Sequence, residues 1–131
     1  MQSIPIVDCG DGVTRAVAGA VGSSGPMLTK TAAYTIKASD TGTTFDNLAA
    51  AGSVTFTLPA PKAGLVFYFQ VKTVGQTIVV TAPTAGTMKG PVTPYTGVTI
   101  TSAGASQFSF LELYSDGTNW YALGFGTWTI S

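Results

Sequence analysis

The stretch Phe110-Leu111-Glu112-Leu113-Tyr114-Ser115-Asp116-Gly117-Thr118-Asn119-Trp120-Tyr121-Ala122-Leu123-Gly124-Phe125 decides the fold class. Two runs of β-favouring residues flank residues 115–119, where Asp116-Gly117 supplies the positive φ angles that a tight hairpin turn requires. The run after the turn therefore returns as the partner strand of the run before it. Phe108 and Phe110 share one phase of the alternation, and Leu111 and Leu113 share the other. Either both faces of that strand are buried or a bulge shifts its register.

Outward from this hairpin the same period-2 pattern repeats. Thr127-Trp128-Thr129-Ile130 reads as a final short strand, and Val98 and Ile100 alternate with threonines before the hairpin. Ile78-Val79-Val80 follows a turn at Val74-Gly75-Gln76. Phe67, Phe69 and Val71 form one face, with Tyr68, Gln70 and Lys72 opposite. Val54, Phe56 and Leu58 alternate with Thr55 and Thr57 until Pro59-Ala60-Pro61 stops the strand. A short strand is expected near Thr43-Thr44-Phe45, and another where Tyr34 and Ile36 alternate with Thr35 and Lys37. Residues 83–94 are rich in Gly and Pro and read as irregular, closed by Tyr95. No internal repeat is visible. The expectation is an all-β chain: an antiparallel β-sandwich, jelly-roll-like, of about eight short strands over residues 31–131.

Residues 1–30 have a different composition. Ile4-Pro5-Ile6-Val7 is a short apolar piece, Asp8-Cys9-Gly10-Asp11-Gly12 a glycine turn, and small residues follow up to Gly25-Pro26. No Phe, Trp or Tyr occurs here. The segment reads as an extended N-terminal arm, and Gly19 and Gly22 oppose a helix over residues 13–21.

The 131 residues suit one domain with one core. Charged residues make up 9%, six basic against six acidic, with no histidine and one cysteine. Such a chain has no electrostatic footprint for nucleic acid or for an anionic membrane. It lacks the commonest general base and metal ligand. Cys9 forms no internal disulfide, and no base that would activate it is apparent. Asp8 and Asp11 fall short of a calcium loop, which needs five or six oxygen ligands ending in a late Glu. The remaining acids are Asp40, Asp46, Glu112 and Asp116. Asp40 and Asp116 sit in turn signatures, where a carboxylate caps the backbone, and Asp46 precedes Asn47 at a strand end. Glu112 alone lies mid-strand, facing an interface or a Lys partner. The expectation is therefore no catalytic, cofactor-binding or metal-ligating residue, no cofactor and no enzyme.

The longest strongly apolar run, residues 65–69, is far short of the roughly 18–20 residues of a membrane span. Neither a signal peptide nor a membrane partner is expected. Threonine occurs 21 times, and a surface of Thr, Ser, Gly and Ala lacks the charge that normally opposes association. That favours an obligate oligomer. Tyr114, Trp120, Tyr121, Phe125 and Trp128 could stack on sugar rings or pack as core and subunit interface, and cross-strand packing is the favoured reading for Trp120.

Three segments together, Val54-Thr55-Phe56-Thr57-Leu58-Pro59, Ala63-Gly64-Leu65-Val66-Phe67-Tyr68-Phe69 and residues 111–121, resemble tailed-bacteriophage virion structural proteins. The pattern, spanning roughly residues 31–125, is similar to head decoration (cement) proteins and to small β-domains of phage fibres. The resemblance implies a β-sandwich or jelly-roll protomer, often a homotrimer, displayed on the outer capsid surface and partnered by the major capsid protein. It also implies an N-terminal arm that contacts the shell. The alternative it leaves is a fibre or receptor-binding domain that recognises a host glycan.

Overall fold

The computed structural model describes residues 25–90, 95–103 and 108–131. The described residues are all-β, with one 3-10 turn among them at Ala38–Asp40. Two mixed sheets pack as a sandwich. The strands are β1 (Met27–Thr29), β2 (Tyr34–Thr35), β3 (Thr44–Asp46), β4 (Val54–Thr57), β5 (Val66–Gln70), β6 (Ile78–Thr81), β7 (Met88–Lys89), β8 (Thr96–Gly97), β9 (Thr99–Ser102), β10 (Phe110–Ser115), β11 (Trp120–Phe125) and β12 (Trp128–Ile130). The larger sheet runs β1-β3-β5-β10-β11-β7-β8 and the smaller β12-β9-β6-β4-β2.

The expectation of purely antiparallel sheets is corrected. Of the ten strand pairings among the described residues, five are parallel. From β1 to β6 the chain alternates between sheets, so β1, β3 and β5 stack parallel in one and β2, β4 and β6 stack parallel in the other. Parallel neighbours need a long crossover, and here the strand of the opposite sheet supplies it. Apolar alternation reports which face of a strand is buried, whatever the direction of its neighbour. That is why the direction could not be read from the pattern.

The sequence shows no internal repeat, yet the backbone path has a regular element. Thr44 faces Tyr68 in one sheet and Val54 faces Ile78 in the other, an offset of 24 residues in both. The corner between the sheets keeps this spacing. The Ala49 amide donates to Thr73 Oγ1, and the hydroxyls of Ser53 and Thr77 share a hydrogen bond. Asn47, fully buried, accepts the amide protons of Lys72 and Thr73 on Oδ1, and its carbonyl accepts the Thr73 hydroxyl. The repeat is one of backbone path, with only faint sequence likeness, such as Thr44-Phe45-Asp46 over Tyr68-Phe69-Gln70.

Inward-facing rings fill the space between the sheets. Phe45 and Phe69 from the larger sheet meet Phe56 from the smaller at centroid distances of 5.2 and 5.3 Å, and Phe67 packs on Trp120 at 5.7 Å. All five are fully buried. Each such burial is worth about 1.5–3 kcal/mol, with about 0.5–1.5 more for a favourable ring pair.

Two further expectations are revised. Residues 83–94, read as irregular, contain β7, whose Met88 is fully buried beside Trp120 in register with β11. β10 needs neither alternative proposed for it. It runs without a bulge between β5 and β11, with Leu111, Leu113 and Ser115 inward and Phe110, Glu112 and Tyr114 outward. Phe108 lies before the strand, exposed, at a φ of 64°. Strand pairing begins at Met27, inside the segment assigned to the arm. Residues 1–24 of that arm, with Asp8, Cys9 and Asp11, lie outside the described residues.

Candidate interaction surface

The outer face of β5, β10 and β11 gathers large side chains in three rows fixed by the register. Gln70, Phe110 and Phe125 form one row, Tyr68, Glu112 and Leu123 the next, and Val66, Tyr114 and Tyr121 the third. Period-2 alternation puts these residues opposite the core face. Leu123 is 53% exposed, Phe125 62% and Tyr114 41%. Neighbouring rings pair within and between the rows: Tyr68 stacks on Phe110 at 6.0 Å, Phe110 meets Phe125 at 6.5 Å, and Tyr114 stacks on Tyr121 at 5.5 Å. Contiguous apolar surface of this kind marks an interaction site more often than isolated exposed residues do. Glu112 is the one charged residue within the rows. Burial raises the Tyr68 phenol above its ordinary pKa, and the adjacent Glu112 charge raises it further.

Beside the third row, Lys89, Tyr95, Thr96, Tyr114, Tyr121 and Leu123 border an open cleft of about 420 Å³. Lys89 Nζ donates to Thr96 Oγ1 at 3.3 Å. At its hairpin end, Tyr121 donates its hydroxyl to Asp116 Oδ2 at 3.1 Å.

The four acids singled out in the sequence stay apart. Asp116 closes the hairpin: Oδ1 accepts the amide protons of Thr118 and Asn119, both at 2.8 Å, and these bonds hold its carboxyl below the usual range. Asp40 accepts the Tyr34 hydroxyl and the Lys37 amide at 3.0 Å, and the bond to Asp40 raises the Tyr34 phenol. Asp46 is buried, paired with Lys72 at 3.1 Å and bonded by the Thr29 hydroxyl and the Leu48 amide. Glu112 faces outward among aromatic rings, with no lysine in ion-pair range among the described residues. No group of three potential metal ligands occurs among the described residues.

The aromatic cluster read from the sequence divides. Trp120 belongs to the core, and Trp128 is half-buried with Nε1 donating to the Phe125 carbonyl at 2.9 Å. Tyr114, Tyr121 and Phe125 remain on the surface. Tyr68, Phe110 and Leu123 join them, a grouping that needed the β5–β10 register, and Tyr95 and Lys89 join the cleft through β7 and β8. No local signal announced either. Compared with known protein families and with curated proteins, the chain matches none.

Proposed function

We propose that this chain is a non-enzymatic, adhesive structural protein of a phage particle. In this reading it is a head decoration (cement) protein that forms a homotrimer on the outer capsid surface and bridges neighbouring capsomers. The exposed apolar face of β5, β10 and β11 carries the reading, on a chain with only 9% charged residues. The resemblance of its β-strand segments to virion structural proteins supplies the setting. A face holding Leu123, Phe125 and Tyr114 in contact with water favours a partner, and few surrounding charges oppose association. Residues 1–30 are the proposed shell-contacting arm and residues 31–131 the trimer-forming body. A ligand that binds only the assembled shell stabilises that state by mass action. The major capsid protein is the proposed partner; neither nucleic acid nor a membrane is.

Co-sedimentation with capsids, alongside light scattering of the isolated protein, tests this. The expected results are saturable binding and a mass about three times that of the protomer. The contact is expected to weaken little in salt, because it is apolar and hydrogen-bonded. A monomer at micromolar concentration that stays in the supernatant overturns the proposal.

One observation favours the glycan-binding alternative: the cleft bordered by Tyr95, Tyr114, Tyr121 and Lys89 offers ring faces beside hydrogen-bond donors. Its test uses Tyr114→Ala and Tyr95→Ala, because the buried Trp120 is out of a ligand's reach. Loss of binding to a glycan array with unchanged melting would favour a receptor-binding role.

A further inference from the structure

β11 outruns its outer neighbour. β7 pairs with it only at Trp120 and Tyr121, and beyond that point residues 122–125 have β10 on one side and no strand on the other among the described residues. The Trp120 amide donates to the Thr87 carbonyl on the β7 side, so alternation aims the peptide groups of Ala122 and Gly124 the same way. β7 leaves this edge because the Gly90 amide bonds the Tyr95 carbonyl and closes a hairpin with β8. The exposed Gly124 therefore presents its N–H and C=O to solvent at an open strand edge.

Inside that edge lies an apolar notch of about 80 Å³, lined by Ile100, Leu111, Ala122, Gly124, Trp128 and Ile130. A bare edge with a side pocket has the form of a strand-addition site. Main-chain hydrogen bonds supply affinity, and the pocket selects every second side chain. The lining is uncharged, and the notch suits one branched aliphatic side chain.

We propose that the Ile4-Pro5-Ile6-Val7 segment of a second copy of this chain adds to the β11 edge. The inference rests on the self-association reading above, and it assigns residues 4–7 of the arm to the contact between copies, leaving the rest of the arm for the shell. These four residues are the one run of bulky aliphatic side chains among the 24 residues that precede Gly25. In an extended strand Ile4 and Ile6 share one face, so one of them fills the notch while the other lies beside it. Pro5, which has no N–H, sits where the backbone turns away from the pairing, as proline does on edge strands. The 18 residues from Val7 to Gly25 span up to roughly 60 Å. β1 stands at the opposite edge of the sheet, four strand spacings or roughly 19 Å from β11, so the segment has ample length to reach a neighbour. Donation from each copy to the next is a heterologous contact, which three copies can close into a ring.

Amide hydrogen exchange and sedimentation on the full chain test this. The Gly124 amide is expected to be protected in the wild type. Ile6→Asp should speed its exchange roughly tenfold or more and shift the sedimenting species to monomer, with the melting temperature of the β domain little changed. In Phe125→Cys, a bis-maleimide is expected to link Cys9 of one chain to the new thiol of another, identified by peptide mapping. A Gly124 amide that exchanges at the open-loop rate overturns the proposal, as does a link closing within one chain. A trimer that persists in Ile6→Asp removes this inference alone, whereas a monomeric wild type removes the self-association reading beneath it.

Discussion

Between Met27 and Thr81 each strand pairs with one laid down a full circuit of both sheets earlier; between Met88 and Ile130 antiparallel contacts predominate. The first region is a parallel coil in which β3 meets β5 and β4 meets β6 at the same 24-residue offset. In the second, β10 and β11 are joined by four residues, and only β7 to β11 remains parallel. A short hairpin closes at little entropic cost, whereas the coil must close long loops before any pairing rewards it. The coil compensates with side-chain bonds at its corner, where Asn47, Ser53, Thr73 and Thr77 link successive circuits. The hairpin uses one aspartate.

The largest effects should come from rings that each region sends into the shared core. Phe45→Ala in the coil and Trp120→Ala in the closing region are each expected to cost about 3–5 kcal/mol, and both variants should unfold in one transition. Separate transitions in thermal melts would break the picture of a common core.

Asn47→Ala should come next. It leaves the part-buried amides of Lys72 and Thr73 without their acceptor, at about 1–3 kcal/mol. Hydrogen exchange should rise in residues 71–73 more than in β10 or β11. Equal loosening in both regions would show that the corner is no special tie of the coil.

Acid should act on the hairpin. The Asp116 carboxyl is held below its ordinary pKa by the Asn119 and Thr118 amides, helped by the Tyr121 hydroxyl. Its folded value is lowered, so its contribution is present above the unfolded pKa and is lost as pH falls through the folded one. Asp116→Asn should flatten that part of the acid-denaturation slope, read by circular dichroism at a series of pH values. An unchanged slope would contradict the hairpin geometry.

The smallest expected effect sits on the outer face. Glu112→Gln removes the charge that adds to burial in raising the Tyr68 phenol, so Tyr68 should ionise at lower pH in an ultraviolet titration, with stability nearly unchanged. No movement of Tyr68 would show that the two side chains of this row do not sense each other.

The hairpin was legible in the sequence because Asp116-Gly117 and its flanking strands are neighbours along the chain. The inward phases of β4 and β5 were legible for the same reason. Parallel pairing was not, because no residue near Phe45 signals that Phe69 will lie beside it. Met88 was hidden within a Gly/Pro-rich stretch that supports only a two-residue strand. Trp120 was placed correctly in the packing, and Asp40 and Asp116 at turns whose backbone they cap. The outer rows escaped notice because Tyr68, Phe110 and Leu123 come from three strands whose order only the folded sheet reveals.

The 24-residue offset shared by β3–β5 and β4–β6 makes that circuit a modular unit. One residue inserted within β4 would turn its later inward side chains outward, whereas a corner loop absorbs one, as the 22-residue offset between β2 and β4 shows. A duplication of residues 47–70 would instead add one complete circuit. Asparagine would again fall at the corner, and phenylalanine would again fall inside. Length could then change in units of a whole turn, a route by which such a body could grow taller without redesign of the hairpin that seals it.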